Sequence, residues 1–107
     1  MLYTAQYNYK GIDRYDITVA AKNIFSPTWT MVEKYRACGN EDEYTKLYET
    51  MMRKSYSKHL QFWEEMVKMC TRHNITLVCY CKPGDFCHRV LLAGFLVKCG
   101  AKYGGER

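Results

Sequence analysis

Between positions 79 and 89 the chain gathers Cys79, Cys81, Cys87, His88 and Arg89, the densest group of side chains able to do chemistry. They sit in the stretch Thr76-Leu77-Val78-Cys79-Tyr80-Cys81-Lys82-Pro83-Gly84-Asp85-Phe86-Cys87-His88-Arg89-Val90-Leu91-Leu92. An apolar run ends in a Pro-Gly turn, and a helix-forming run begins at once. Strand, tight loop and helix N-terminus is the geometry by which small α/β proteins present backbone N–H groups to anions.

Several chemistries fit these residue types. Cys79, Cys81, Cys87 and His88 are soft or borderline metal ligands, but no paired C-x₂-C knuckle is present. Adjacent Cys87 and His88 also seldom turn to one ion, so no metal ligand and no cofactor are assigned. A phosphatase-like or sulfurtransferase cradle needs a short loop closed by Cys and Arg, and the spacing from Cys81 to Arg89 is too long for one. Cys87 in the first turn of a helix, with His88 beside it, has the setting of a nucleophile with an acid/base partner. The same cysteines also suit burial as small apolar residues. The simplest expectation is anion binding by the free N–H groups near Phe86, Cys87 and His88 together with Arg89, with Lys82 adding charge. Thr4 and Gln6, on the polar side of the first strand, join that ligand if their strand lies beside residues 77–81, and Tyr7 is expected as a further ligand-binding residue or pocket wall. Trp29 is expected as core or pocket wall.

The elements that must position this corner are legible in outline. Residues 3–9 alternate as a half-buried strand, and Tyr15, Ile17 and Val19 alternate as a second, read as its hairpin partner. Ser26-Pro27 has the order of an N-cap and first helical residue, and Gly39 the position of a stop. Asn40 with Glu43 three residues on makes a capping box. Tyr44, Leu47, Tyr48 and Met51 continue as one amphipathic face. It resumes at Trp63, Met66, Val67 and Cys70 after a weak patch at 55–57, where a helix bends or two helices meet. Ile75 to Cys81 is apolar throughout, as a strand covered on both faces is. Asp85 is expected to cap the last helix, which ends at Gly100, and residues 101–107 add an edge strand or stay loose. The prediction is α/β: a single compact domain over 1–107, a small sheet with a central buried strand at about 75–81, and helices packed on it.

Composition bounds the function. A chain of 107 residues that is 48% hydrophobic is one small folded domain. Its net charge of +5 favours phosphate-bearing partners but falls short of a dedicated DNA binder. The first residues carry no signal-peptide pattern and no segment is long enough to span a bilayer, so a cytosolic chain with reduced thiols is expected, without membrane association. Ten tyrosines suit stacking on rings, or partial burial in a homodimer.

With these residues in view, the chain resembles the family called domain of unknown function 488, in particular its short phage and prophage members. The resemblance rests on residues 77–93 and their Cys87-His88-Arg89 block. It is supported by Tyr3-Thr4-Ala5-Gln6-Tyr7, Phe25-Ser26-Pro27-Thr28-Trp29 and Tyr103-Gly104-Gly105-Glu106-Arg107. It implies a compact α/β fold with the polar block at the end of a central strand, and a host-cell cytosolic setting. Cys81 stands where many members carry an acidic residue, which weakens a metal or general-base role there. Three functions follow as expectations. The first is binding of a phosphate-bearing, nucleotide-like ligand at the 79–89 corner, which sequesters a host nucleotide signal. The second is an enzyme acting on a nucleotide-derived metabolite through Cys87 and His88. The third is an inhibitor that binds a host protein through the helices at 44–70.

Overall fold

Four short strands form one parallel sheet in the order β2-β3-β1-β4 in the computed structural model, which describes residues 1–81 and 86–107. They are β1 (Leu2–Gln6), β2 (Arg14–Asp16), β3 (Ile75–Cys79) and β4 (Tyr103–Glu106). β3 is buried at every position, which explains its uninterrupted apolar sequence, and it shares the middle of the sheet with β1. β4 is the edge strand that the C-terminal sequence allowed, paired parallel to β1.

The hairpin expected between the first two strands does not form. β2 pairs with β3, parallel, through Arg14↔Thr76 to Asp16↔Val78. Its backbone groups are taken by that strand: the Thr76 N–H donates to the Asp13 carbonyl and the Ile17 N–H to the Val78 carbonyl. The connection is held from the side by Arg14, whose guanidinium donates to the carbonyls of Tyr7 and Tyr9. Alternation over 3–9 correctly marked a strand, but the chain turns after Gln6.

A 3₁₀ turn at Val19–Ala21 follows β2, and four α-helices complete the domain: α1 (Trp29–Cys38), α2 (Glu41–Lys58), α3 (Leu60–Arg72) and α4 (His88–Lys98). α1 begins two residues later than Ser26-Pro27 suggested. Thr28 is its cap, accepting from the Met31 N–H, while Ser26 turns inward and donates to the Thr18 carbonyl. Gly39 ends the helix at φ +64°, a conformation that needs glycine. Asn40 caps α2 as predicted, its side chain accepting from the Glu43 N–H at 3.0 Å. Two helices do meet here, but at His59, just past the weak patch, which lies inside the last turn of α2.

The core is built from Leu2 and Leu77 of the inner strands, Leu92 and Leu96 of α4, and Tyr48, Met52, Trp63 and Met66 of α2 and α3. Phe25 joins it, ring-edge to Trp63, and its carbonyl accepts from the Tyr48 hydroxyl at 2.8 Å in a fully buried bond. This bond ties the segment leading into α1 to the middle of α2. Tyr48→Phe, which leaves that carbonyl without its donor, is expected to lower unfolding free energy by about 1–2 kcal/mol in chemical denaturation; an unchanged value would show that the bond does not anchor this segment.

Candidate functional site

The strands all run the same way, so their carboxyl ends share one edge, the edge where open α/β sheets place ligands. A pocket of about 220 Å³ opens there, beyond the ends of β2 and β3. Thr18 and Val19 come from the turn after β2, Cys79, Tyr80 and Cys81 from the end of β3, and Cys87 and His88 from the start of α4. α1 supplies a wall of Trp29, Val32 and Tyr35 with Arg36 beside them, and Tyr44 of α2 and Phe86 close it. The wall is aromatic and self-bracing: Phe86 packs against Tyr35 and Tyr44 with centroids 5.4 and 5.5 Å away. At the rim, Tyr80 is backed by Tyr7, which stacks on it at 4.4 Å.

At the pocket floor the positions of Cys87, His88 and Arg89 are fixed by different partners. His88 Nε2 donates to the Ile17 carbonyl at 2.6 Å, which joins α4 to the end of β2. That bond leaves Nδ1 as the acceptor, 3.8 Å from Cys87 Sγ. Burial lowers the His88 pKa to about 4; the Arg89 charge pushes the same way, and the bond to Ile17 and the Asp16 charge oppose it. The imidazole is therefore neutral at physiological pH. Cys87 is the N-cap of α4, and its side chain takes none of the first-turn N–H groups, which α-helices leave without an intrahelical acceptor. Asp85, expected in that role, and Lys82 lie outside the described residues.

The sulfurs of Cys79 and Cys87 are at bonding distance, and with Cys81 Sγ they form a trio lying within 4.8 Å of one another. Cys38, Cys70 and Cys99 are free thiols. Tyr44 stands over the trio; burial pushes its phenol well above the usual range, and the nearby Cys81 adds to this.

Arg89, expected at the ligand, is placed inside the fold and not among the pocket-lining residues. It is 1% exposed, and its guanidinium is shared among four acceptors. Nε and Nη2 donate to the Glu106 carboxylate at 3.3 and 2.9 Å, and Nη1 donates to Cys79 Sγ at 3.0 Å and to the Cys81 carbonyl at 2.8 Å. Its place is structural, linking α4 to β3 and β4. Thr4 is also withdrawn: it is fully buried, and its hydroxyl is bonded to that of Tyr103 at 2.6 Å. Gln6 is in register with Cys79 and half-buried, outside the pocket wall, and Tyr7 reaches the pocket only through Tyr80. Phe86, Cys87 and His88 do line the pocket, and Trp29 is pocket wall.

Two residues that the sequence did not single out are here. Arg36 lines the pocket and is exposed, without a hydrogen-bond or ion-pair partner among the described residues. Thr18 is 1% exposed, and its Oγ1 is the buried side-chain oxygen that lacks a hydrogen-bond partner among the described residues. Its backbone is fully used, the N–H on Asp16 Oδ1 at 2.8 Å and the carbonyl on Ser26 Oγ at 2.7 Å. The one sequence signal for it was Asp16 two residues earlier, the spacing of an Asx turn.

These assignments separate structural from ligand-facing cations. Arg89→Met is expected to cost about 2–3 kcal/mol of stability, discounted because Glu106 is partly solvated, whereas Arg36→Ala should change it by no more than about 0.5 kcal/mol. Equal effects in urea titrations would contradict the division. His88 takes a proton near pH 4 when folded and near 6.5 when unfolded, so between those values the unfolded chain binds the extra proton. Stability should fall by about 3 kcal/mol as pH drops through that window, and His88→Gln should lack this share of the loss. Parallel pH profiles for the two proteins would contradict a buried neutral imidazole.

Neither a curated protein nor a solved structure matches the chain. A family model described as the active DUF488-N3 subclade matches residues 1–100, nearly the whole length and including the Cys87-His88-Arg89 block. The chain therefore belongs to the DUF488-N3 family.

Proposed function

We propose that the pocket binds a small nucleotide-like anion, with its base against the aromatic wall and its phosphate near Arg36 and the first-turn N–H groups of α4. The observation that carries this reading is Thr18, a residue of the pocket lining whose buried Oγ1 has no hydrogen-bond partner among the described residues. An unpaired buried hydroxyl costs about 1–3 kcal/mol, a cost that a polar ligand atom removes. The wall supports the rest. Trp29 and Tyr80 keep half or more of their surface uncovered at the rim, as stacking surfaces for a flat ring do. The volume of about 220 Å³ suits a ligand of about mononucleotide size.

Thr18→Val separates binding from folding. It should weaken adenosine 5′-monophosphate, or whichever common mononucleotide binds best, by about tenfold in calorimetry while raising stability by up to about 1 kcal/mol. Arg36→Ala should weaken the nucleotide by at least about tenfold and the matching nucleoside much less. The absence of saturable binding by any common mononucleotide at millimolar concentration would overturn the proposal.

A second reading, favoured by the Cys87–His88 contact and by the word active in the family's description, is an enzyme on a nucleotide-derived metabolite. Cys87 would be the nucleophile and His88 Nδ1 would take its proton. An imidazole held at about 4 is a poor acceptor for a thiol proton, so the pair rests uncharged and binding ranks first. Recovery of a chemically altered nucleotide, lost in Cys87→Ser, would reverse that order. The proposal keeps a cytosolic, phage-type setting in which a host nucleotide signal is sequestered. It also keeps a homodimer, supported by exposed Phe62 and Met69 on one face of α3.

A further inference from the structure

We propose that Cys79, Cys81 and Cys87 hold one zinc ion at the floor of the pocket, with Arg89 as the charge partner of the Cys79 thiolate. The three sulfurs come from two elements: Cys79 ends β3, Cys81 lies two residues beyond it, and Cys87 returns to them as the N-cap of α4. Thiolates about 2.3 Å from one tetrahedral ion stand roughly 3.8 Å apart. The three sulfurs lie within 4.8 Å of one another, and Cys79 and Cys87, at bonding distance here, reach that spacing once a thiol reductant has parted them. All-sulfur donors select a soft or borderline ion, and zinc is the commonest that needs no redox change.

Two further observations favour thiolates at this place. Arg89 Nη1 donates to Cys79 Sγ at 3.0 Å, and a buried guanidinium finds a far better acceptor in an anionic sulfur than in a neutral one. The Cα atoms of Cys79 and Cys87 are 7.8 Å apart, wider than the roughly 7 Å beyond which a disulfide requires backbone movement. Ligands of a metal ion tolerate such a span. Glu106 on the far side of Arg89 orients the guanidinium, as outer partners of metal ligands do. His88 stays outside the set because its Nε2 is on the Ile17 carbonyl.

Three protein donors leave a tetrahedral ion one more position. All three cysteines line the pocket, so that position belongs to water or to the pocket's occupant. Binding converts each thiol that ligates to a thiolate and releases its proton, so affinity should rise with pH.

The test uses the full chain, reduced with a thiol reductant, stripped of metal, and titrated with Co²⁺ in the absence of nucleotide. One equivalent should produce sulfur-to-cobalt charge-transfer absorption and tetrahedral visible bands, both abolished by one equivalent of Zn²⁺. Cys81→Ser should weaken the metal by at least about a hundredfold, more than the loss of an outer partner causes, and Cys99→Ser should leave it unchanged. The absence of charge-transfer bands in the reduced wild-type chain would overturn the site whether or not any variant folds. So would equal Co²⁺ affinity in Cys81→Ser and wild type. Nucleotide calorimetry in excess chelator reads the pocket separately, so either proposal can fail without the other.

Discussion

A guanidinium removed from water must have its donors satisfied, and the way Arg89 meets that demand organises one end of the molecule. Its acceptors belong to the end of β3, the residue two beyond it, and β4. Since Arg89 stands in the first turn of α4, the helix can start in only one place relative to the sheet. Cys87 and His88, the two residues before it, are thereby set at the carboxyl edge. His88 fastens the same turn to β2 through Ile17, so one short segment grips three of the four strands.

This accounts for what could be read beforehand and what could not. The apolar run at 75–79, the Asn40 cap and the Gly39 stop each express a local rule, and each was legible from neighbouring residues. The partner of β2 was not. Alternation marks a strand but says nothing of its neighbour, and the choice of β3 over β1 depends on hydrogen bonds to Asp13 and Ile17 that are distant in sequence. The partners of Arg89 were hidden for the same reason. An arginine beside a helix start reads as an anion ligand until Glu106, seventeen residues later, is seen to reach it.

The site was half legible. Its location at the Cys-rich corner followed from the strand-loop-helix pattern, and Phe86, Cys87 and His88 are indeed at the pocket. The opposite wall came from α1, where Trp29 was expected as core or pocket wall but Arg36 carried no signal. Thr18 was invisible because its significance is a lack of partners, a property that only three dimensions reveal. A metal reading of the three cysteines was set aside in the sequence because they form no paired knuckle, and only the fold shows a strand end and a helix cap bringing their sulfurs together.

The division of labour between a structural Arg89 and a ligand-facing Arg36 and Thr18 is tested most directly by following ¹H–¹⁵N resonances during a mononucleotide titration. The side-chain N–H of Arg36 and the amides of Thr18 and His88 should shift with saturation, while the Arg89 Nε–H stays fixed and protected from exchange. A shift of Arg89 Nε–H as large as that of Arg36, or shifts confined to a different face, would contradict the account.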